Sequence, residues 1–327
     1  MSSKNVLITG GCGFIGSNLT RFLLKNTDYN IIIIDKLSYS TKGFERVKEM
    51  DPSRVRIFTW DLAIPLTDGM AREFGDINII LHLAAESHVD KSIADPPKFI
   101  ENNVMSTVYI LEYARTLKNL DFFLYFNTDE VFGFAPQNKD YTENDKFTPR
   151  NPYSASKASG ELICLSYANT YDIPFLSLNC MNVFGKMQHV EKFIPKVMKM
   201  LLSNETVSIH SYPDQHTAGS RFYIHVDDVA RAVLFIMKNG QLGENYNVRG
   251  SIEVDNLSLA KMIAECMGRE LKYEMVNFHA DRPSHDLRYS LCGKKMERMG
   301  WKLDNNFKDQ IQEIVDWTMN NLEWLEE

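Results

Sequence analysis

In the first half of the chain, apolar residues fall into short runs separated by amphipathic stretches. Asn5–Thr9, Ile31–Asp35, Val55–Thr59, Ile77–His82 and Phe122–Asn127 are brief and rich in β-branched or aromatic residues, the composition that predicts strands. Between them, Phe14–Asn26 and Phe99–Lys118 read as amphipathic helices. Apolar strands alternating with helices predict a parallel sheet covered on both faces. A helix over Tyr153–Thr170 and a strand over Phe175–Leu178 continue the rhythm. After Val183 it breaks up. The loops KMQHVEK and SYPDQHTAGS separate shorter elements, and helical patterns recur over Val226–Lys238, Asn256–Met267 and Phe307–Asn320. The expected fold is α/β, a Rossmann doubly wound parallel sheet with a smaller C-terminal substrate-binding lobe. Residues 1–183 are expected to form the main domain and carry the catalytic groups. Residues 184–327 are expected to bind substrate, with some elements returning to the main domain.

Composition narrows the partners. A chain of 327 residues with 44% hydrophobic content can enclose a large core. The formal net charge of −7 is the opposite of the basic footprint left by nucleic-acid binding, which is not expected. An anionic ligand must then be held by local positive groups and helix N-termini. Cys12, Cys164, Cys180, Cys266 and Cys292 are scattered without CxxC spacing, so reduced thiols are expected and no metal site. The opening MSSKNVLITGG lacks the features of a signal peptide, and no apolar run reaches the length of a membrane span. A soluble, cytoplasmic protein is expected.

Candidate chemistry begins directly after the first strand. Gly10, Gly13 and Gly16 form GxxGxxG, with Phe14 and Ile15 opening the following helix. Such a turn lets the backbone approach a pyrophosphate while the helix N-terminus supplies free N–H groups. Asp35 closes the second strand, where a carboxylate accepts hydrogen bonds from ribose hydroxyls and repels a 2′-phosphate, so NAD is favoured over NADP. The next residue, Lys36, is in principle able to meet such a phosphate. Asp61 and Leu62 after the third strand, and Ala84 and Ala85 after the fourth, complete the expected cofactor border.

Tyr153 and Lys157 form YxxxK on a predicted helix, and their spacing places both on one face. A tyrosine of pKa about 10 is a poor base at neutral pH. A neighbouring ammonium and a positive nicotinamide ring are expected to favour its phenolate. Thr128, Asp129 and Glu130 follow the fifth strand, at the edge where open α/β sheets bind ligands. Adjacent carboxyls there can separate in pKa into an acid and a base.

These residues carry a resemblance that covers nearly the whole chain. TGGCGFIGSN, YSASK and the strand–helix order resemble the extended short-chain dehydrogenase/reductase superfamily. HLAAESHVDKSI (His82–Ile93), NTDEVFG (Asn127–Gly133), NPYSASKAS (Asn151–Ser159), EKFIP (Glu191–Pro195) and DRPSHDLRY (Asp281–Tyr289) are similar to the dTDP-glucose 4,6-dehydratase family. The resemblance implies that Tyr153 deprotonates the sugar 4-hydroxyl and Glu130 removes the C5 proton. Asp129 would protonate the departing 6-hydroxyl. Thr128 would bind the 4-oxygen and Lys157 the nicotinamide ribose, with NAD regenerated and retained in each cycle. It also implies substrate contacts from Ser87, Asn182, Glu191, Lys192, Arg221, Asn247 and His285, and a nucleotide-diphosphate sugar as ligand. The resembling family dimerises through a helix pair, and Val104, Val108, Leu111, Leu162 and Leu165 are the apolar positions that point to a homodimer here.

The chain departs from the family pattern at Phe132, in NCMNVFGKMQ, and in the lengthened SIHSYPDQHTAGSRFYIHV. The choices of thymidine or uridine, and of glucose or N-acetylglucosamine, stay open at this point. A UDP-N-acetylglucosamine 4,6-dehydratase that inverts C5 is an alternative, although inverting enzymes tend to pair Asp with Lys. A UDP-hexose 4-epimerase shares Tyr153, Lys157 and NAD but has no work for Asp129 and Glu130. An NAD-sensing regulator would not require the catalytic set.

Overall fold

The computed structural model describes residues 3–37, 42–277, 287–303 and 306–326. Its first half contains β1 (Asn5–Thr9), α1 (Phe14–Asn26), β2 (Asn30–Asp35), β3 (Val55–Thr59), α2 (Asp68–Phe74), β4 (Ile79–His82), α3 (Val89–Ala94), α4 (Pro96–Ile100), α5 (Ser106–Ala114), β5 (Phe122–Thr128), α6 (Pro152–Tyr171) and β6 (Phe175–Cys180). The second half adds β7 (Val183–Phe184), α7 (Phe193–Leu202), β8 (Val207–Ser211), β9 (Ser220–Arg221), β10 (Ile224–His225), α8 (Val226–Asn239), β11 (Asn245–Val248), β12 (Val254–Asp255), α9 (Asn256–Cys266), β13 (Tyr273–Asn277), α10 (Lys294–Arg298) and α11 (Phe307–Met319).

Seven strands form one parallel sheet in the order β11-β6-β5-β4-β1-β2-β3. The winding reverses between β1 and β4, and that switch point opens a crevice at the carboxyl ends of the strands. Alternation along each strand sends successive side chains to opposite faces. Val6, Ile8, Ile31 and Ile33 meet Leu19 and Leu23 of α1 and Val229 and Val233 of α8 on one face. Leu7, Ile32, Ile34, Phe123 and Tyr125 meet Ile110 of α5 and Cys164 of α6 on the other. A separate core joins Ile194, Val197 and Leu201 of α7 to Leu259 and Ile263 of α9 and Ile311 and Ile314 of α11. The strand β11 and helix α8 both return from the second half of the chain to the main sheet.

The expected strands and most helices appear within a few residues of their sequence bounds. One helix does not. Phe99–Lys118 is divided into α4, a π-helical turn over Glu101–Met105, and α5. Inside that turn Asn103 is buried. Its Oδ1 accepts from the Glu86 N–H (2.8 Å), while its Nδ2 donates to the Glu86 carbonyl (3.0 Å) and to Ser156 Oγ (2.8 Å). The extra residue of a π turn goes with this inward asparagine, which ties the β4 loop to α6. Leu111, grouped above with outward apolar positions, is fully buried against the chain's own sheet, whereas Leu162 and Leu165 are 57% and 41% exposed. The strands β7 to β13 went unnamed in the sequence because several are two-residue pairings with no periodicity to read.

Helix α6 starts at a reciprocal cap, in which Asn151 accepts from the Ser154 N–H and Ser154 Oγ accepts from the Asn151 N–H. Pro152 sits in its first turn and Asp172, at φ 56°, ends it. The helix lies close on β5 because Gly160 faces the phenol of Tyr125, whose Cζ would stand 2.8 Å from any added Cβ.

Candidate active site

Gly10 adopts φ +68°, and a Cβ there would meet the Ala84 backbone at 2.9 Å. Thr9 Oγ1 reinforces this approach by accepting from the N–H groups of Leu83 and Ala84, both at 3.1 Å. A Cβ on Gly16 would overlap the Gly10 carbonyl oxygen, so α1 can pack here only without one. Gly13 differs. Its absent Cβ has one near neighbour, the Gly10 oxygen at 3.1 Å, and otherwise faces open space. Gly13 is also the N-cap of α1, with no side chain on its first-turn N–H groups.

The longer helices α6, α8, α9 and α11 are capped by Asn151, His225, Asp255 and Asn306. Helix α7, with Lys192 at its N-cap, is bare like α1. Both bare ends face one cleft of about 390 Å³. Two sets of unclaimed N–H donors therefore point into the same space, each suited to an anion.

Gly10, Gly13, Phe14, Ile15, Gly16, Asp35, Asp61, Leu62, Ala84 and Ala85 line one end of this cleft. Asp35 Oδ2 accepts from the Cys12 N–H (3.0 Å) and Oδ1 from the Leu37 N–H (2.8 Å), which fixes the carboxylate at the cleft wall. Lys36 does not stand ready for a phosphate. Its ammonium pairs with Glu86 at 3.0 Å and also donates to Asn102. Glu86 was not singled out in the sequence, yet it neutralises the lysine beside Asp35 that a 2′-phosphate would need. The glycine cradle, the bare helix end and the placed Asp35 together fit NAD.

At the other end lie Ser87, Thr128, Asp129, Glu130, Tyr153, Lys157, Asn182 and Lys192. Thr128 ends β5, and the following turn of 3-10 helix carries Asp129 and Glu130. Thr128 Oγ1 donates to Asp129 Oδ1 (3.0 Å), while Asp129 Oδ2 is buried with no hydrogen-bond partner. Burial pushes the Asp129 carboxyl up to about 7, the adjacent Glu130 adds to the rise, and Arg221 opposes it. Glu130 accepts instead from Asn151 Nδ2 at 3.2 Å. Two neighbouring carboxyls thus sit in unlike surroundings, one dry and proton-retaining, the other hydrogen-bonded.

The expectation that Lys157 lowers the Tyr153 pKa is not what the protein alone displays. Burial raises the Tyr153 phenol, and Glu130 raises it further, against a hydrogen bond with Thr128. The Lys157 ammonium lies 4.2 Å from the centroid of the Tyr125 ring rather than on the phenol, and burial pushes it down to about 8. Behind it, His82 is held between Thr9 Oγ1 (2.7 Å) and Thr107 Oγ1 (3.1 Å) and is pushed down to about 3 by burial, so it is neutral.

Some expected substrate contacts stand apart. Glu191 faces a neighbouring groove and approaches His88 (3.4 Å) and Lys91 (3.7 Å). Asn247, in β11, is buried, with Nδ2 donating to the Tyr141 carbonyl (2.9 Å) and Oδ1 accepting from Asn179 (2.9 Å). It does not reach the cleft. Arg221 stacks on Tyr289 at 4.6 Å and donates to the Ser220 and Leu287 carbonyls. Its charge reaches Asp129. His285 lies outside the described residues. Among the described residues no His, Cys, Asp and Glu cluster could hold a metal, and no helix is long and apolar enough to cross a membrane.

The family model described as GDP-mannose 4,6 dehydratase matches residues 7–314. The low-salt glycan biosynthesis protein Agl12 of Haloferax volcanii is 35% identical over 318 residues, covering 97% of this chain and 99% of that protein. An Escherichia coli dTDP-glucose 4,6-dehydratase is 34% identical over 344 residues, covering 98% and 94%. The crystal structure of DesIV, a dTDP-glucose 4,6-dehydratase from Streptomyces venezuelae with NAD and dTDP bound, superposes with a TM-score of 0.88 at 34% identity and covers 98% and 99%. A UDP-glucose 4-epimerase from Thermus thermophilus in complex with NAD shares the fold at 26% identity and a TM-score of 0.84, covering 95% and 98%.

The Asp129 carboxyl yields a prediction for stability. Its folded-state pKa lies above the unfolded value of about 3.9, so its contribution is present at low pH and is lost as pH rises toward about 7. Asp129→Asn is neutral at every pH and escapes that loss. In thermal denaturation the variant should gain Tm over the parent at about pH 8 and show a smaller gain or none at about pH 5. An equal difference at both pH values contradicts the raised pKa.

Proposed function

The chain belongs to the GDP-mannose 4,6-dehydratase family and is an NAD-dependent nucleotide-sugar 4,6-dehydratase, and from that premise we infer how its residues divide the work. Bound NAD supplies the acceptor, and later the donor, for the hydrogen that leaves sugar C4 and arrives at C6. With NAD bound, its positive nicotinamide ring would offset the burial that holds Tyr153 protonated in the protein alone, and the Tyr153 phenolate removes the proton of the 4-hydroxyl while Thr128 holds the 4-oxygen. The ketone at C4 makes the C5 hydrogen acidic, and Glu130 takes it. Asp129, kept protonated by its dry surroundings, delivers its proton to the departing 6-hydroxyl, so the bond to C6 breaks and one water leaves; C5 regains a proton as C6 receives the hydrogen.

The observation that carries this reading is the unequal pair of carboxyls beside a single tyrosine. Oxidation and return at C4 alone, as in a 4-epimerase, has no use for an uncharged acid next to a carboxylate. The cofactor is assigned to Gly10, Gly13, Phe14, Ile15, Gly16, Asp35, Asp61, Leu62, Ala84 and Ala85, with Lys157 on the nicotinamide ribose. The substrate, a dTDP- or UDP-hexose, is assigned to the bare N-terminus of α7 with Lys192, Ser87, Asn182 and Arg221. Residues 1–183 then serve mainly the cofactor and the chemistry, and residues 184–327 mainly the nucleotide sugar.

Given dTDP- and UDP-hexoses, the enzyme should release a product lighter by one water, detected by mass spectrometry. Asp129→Asn and Glu130→Gln should each slow its formation by about 10²–10⁴-fold. With Glu130→Gln, exchange of the C5 hydrogen with solvent deuterium should also fall. With Asp129→Asn, that exchange should continue without product. Near-parental dehydration by both folded variants would remove the carboxyls from the mechanism.

We also propose a homodimer. Leu162 and Leu165 leave an apolar stripe on α6 outside the chain's own core, and Ile100 in α4 is 44% exposed. Light scattering at micromolar concentration should report twice the 37.7 kDa chain mass, whereas a monodisperse monomer is the opposing result.

A further inference from the structure

Behind the catalytic helix face lies a buried carboxyl group that the mechanism above does not use. Glu161 is one helical turn beyond Lys157, as Lys157 is one turn beyond Tyr153, so the three share one face of α6. Glu161 is 8% exposed and Lys157 is 3% exposed. The carboxyl group accepts from Asn127 Nδ2, from Ser177 Oγ (2.9 Å) and from Asn245 Nδ2 (2.6 Å).

Both amides are oriented by other bonds. Asn127 Oδ1 takes the Thr128 N–H (2.9 Å), and Asn245 Oδ1 takes Asn179 Nδ2 (2.9 Å). Three donors therefore converge on Glu161 and no acceptor does, which is the environment of an ionised carboxylate. Burial pushes the group upward, and those donors and Lys157 act against it.

The Lys157 ammonium, for its part, makes no hydrogen bond or ion pair among the described residues and lies over the Tyr125 ring. The titratable groups facing it are Tyr153 and Cys164 on α6, Tyr125 on β5 and His82 on β4. In the protein alone, burial raises Tyr153, Cys164 and Tyr125 and lowers His82, so none of the four supplies a charge to compensate Lys157. Two opposite charges are thus enclosed on adjacent turns of α6, and each favours the charged form of the other.

We propose that Glu161 is a positioning residue, a buried counter-charge that keeps Lys157 an ammonium and, through Asn127, ties it to the Thr128–Glu130 turn. Removing a nearby negative charge lowers the pKa of a lysine. Without Glu161, Lys157 would lose its proton at lower pH, and the reaction would lose its ammonium with it. This inference rests on the assigned role of Lys157, so the test has one arm that reads no activity.

The first arm is the pH profile of kcat and KM for Glu161→Gln. Its alkaline limb should move to lower pH by about one unit, which is a roughly tenfold loss of kcat on that limb, with KM little changed. Glu161→Asp, which keeps the charge, should hold the limb near its parental position, and it remains informative if the Gln variant does not fold. The second arm compares Tm losses for Glu161→Gln, Lys157→Met and the double variant. Each single change strands one buried charge, so the two losses should sum to more than the double variant loses. An unmoved alkaline limb in a folded Gln variant, or a Glu161→Asp limb displaced as far as that of Gln, overturns the proposal. So do strictly additive Tm losses. A failure of the Lys157 assignment alone would leave the Tm coupling in place.

Discussion

One aromatic ring sets the height of the catalytic helix above the sheet. Tyr125 rises from β5 into the space that Gly160 leaves open, its hydroxyl donates to the Lys157 carbonyl at 3.1 Å, and the Lys157 ammonium lies over its ring. The contact fixes α6 along its axis and about it. Tyr153, Lys157 and Glu161 must then face the end of the same strand, where Thr128, Asp129 and Glu130 begin. The capped start of α6 reaches that turn directly, through Asn151 to Glu130. A shift of one residue along the helix would turn its catalytic face away by about 100°. The distance from tyrosine to carboxyl is therefore a property of packing, set before any ligand arrives.

Electrostatics in the cleft follow from what is buried and what is capped. Helices α6, α8, α9 and α11 spend a side chain on their first N–H groups, whereas α1 and α7, which do not, meet at the cleft. This explains how a chain of net charge −7 offers room to anionic ligands without a basic surface. At the reacting end the logic is reversed. The Asp129 oxygen is denied a partner, and its carboxyl holds a proton near neutrality as a result. Protein stability is given up at that point for an acid in the right place, a trade that active sites commonly make.

Elements governed by periodicity and by glycine chemistry were legible in the sequence. The strands β1 to β6, the helix starting at Phe14, the turn at Gly10 to Gly16 and the four-residue step from Tyr153 to Lys157 all follow local rules that survive folding. The sequence was less informative where a side chain is used away from its own element. The π turn depends on where Asn103 finds partners, and these are Glu86 and Ser156, distant in the chain. Asn247 sits on a strand that returns to the sheet, which turns a motif-aligned residue away from the cleft. The Tyr153 pKa runs against its YxxxK spacing, because spacing conveys proximity but not desolvation. Glu161 carried a readable signal, the four-residue step from Tyr153 to Lys157 repeated once more along α6.

The central claim is that a hydrogen removed from one carbon of the sugar returns to another carbon of the same molecule while water leaves between the two events. The most direct test is turnover of a nucleotide hexose carrying deuterium at C4, in ordinary water, with the product read by NMR and mass spectrometry. The account predicts that the label moves to C6 and that hydrogen at C5 comes from solvent. Label found at C4 of an otherwise unchanged sugar, or lost to water, would contradict it and return the chain to the epimerase reading.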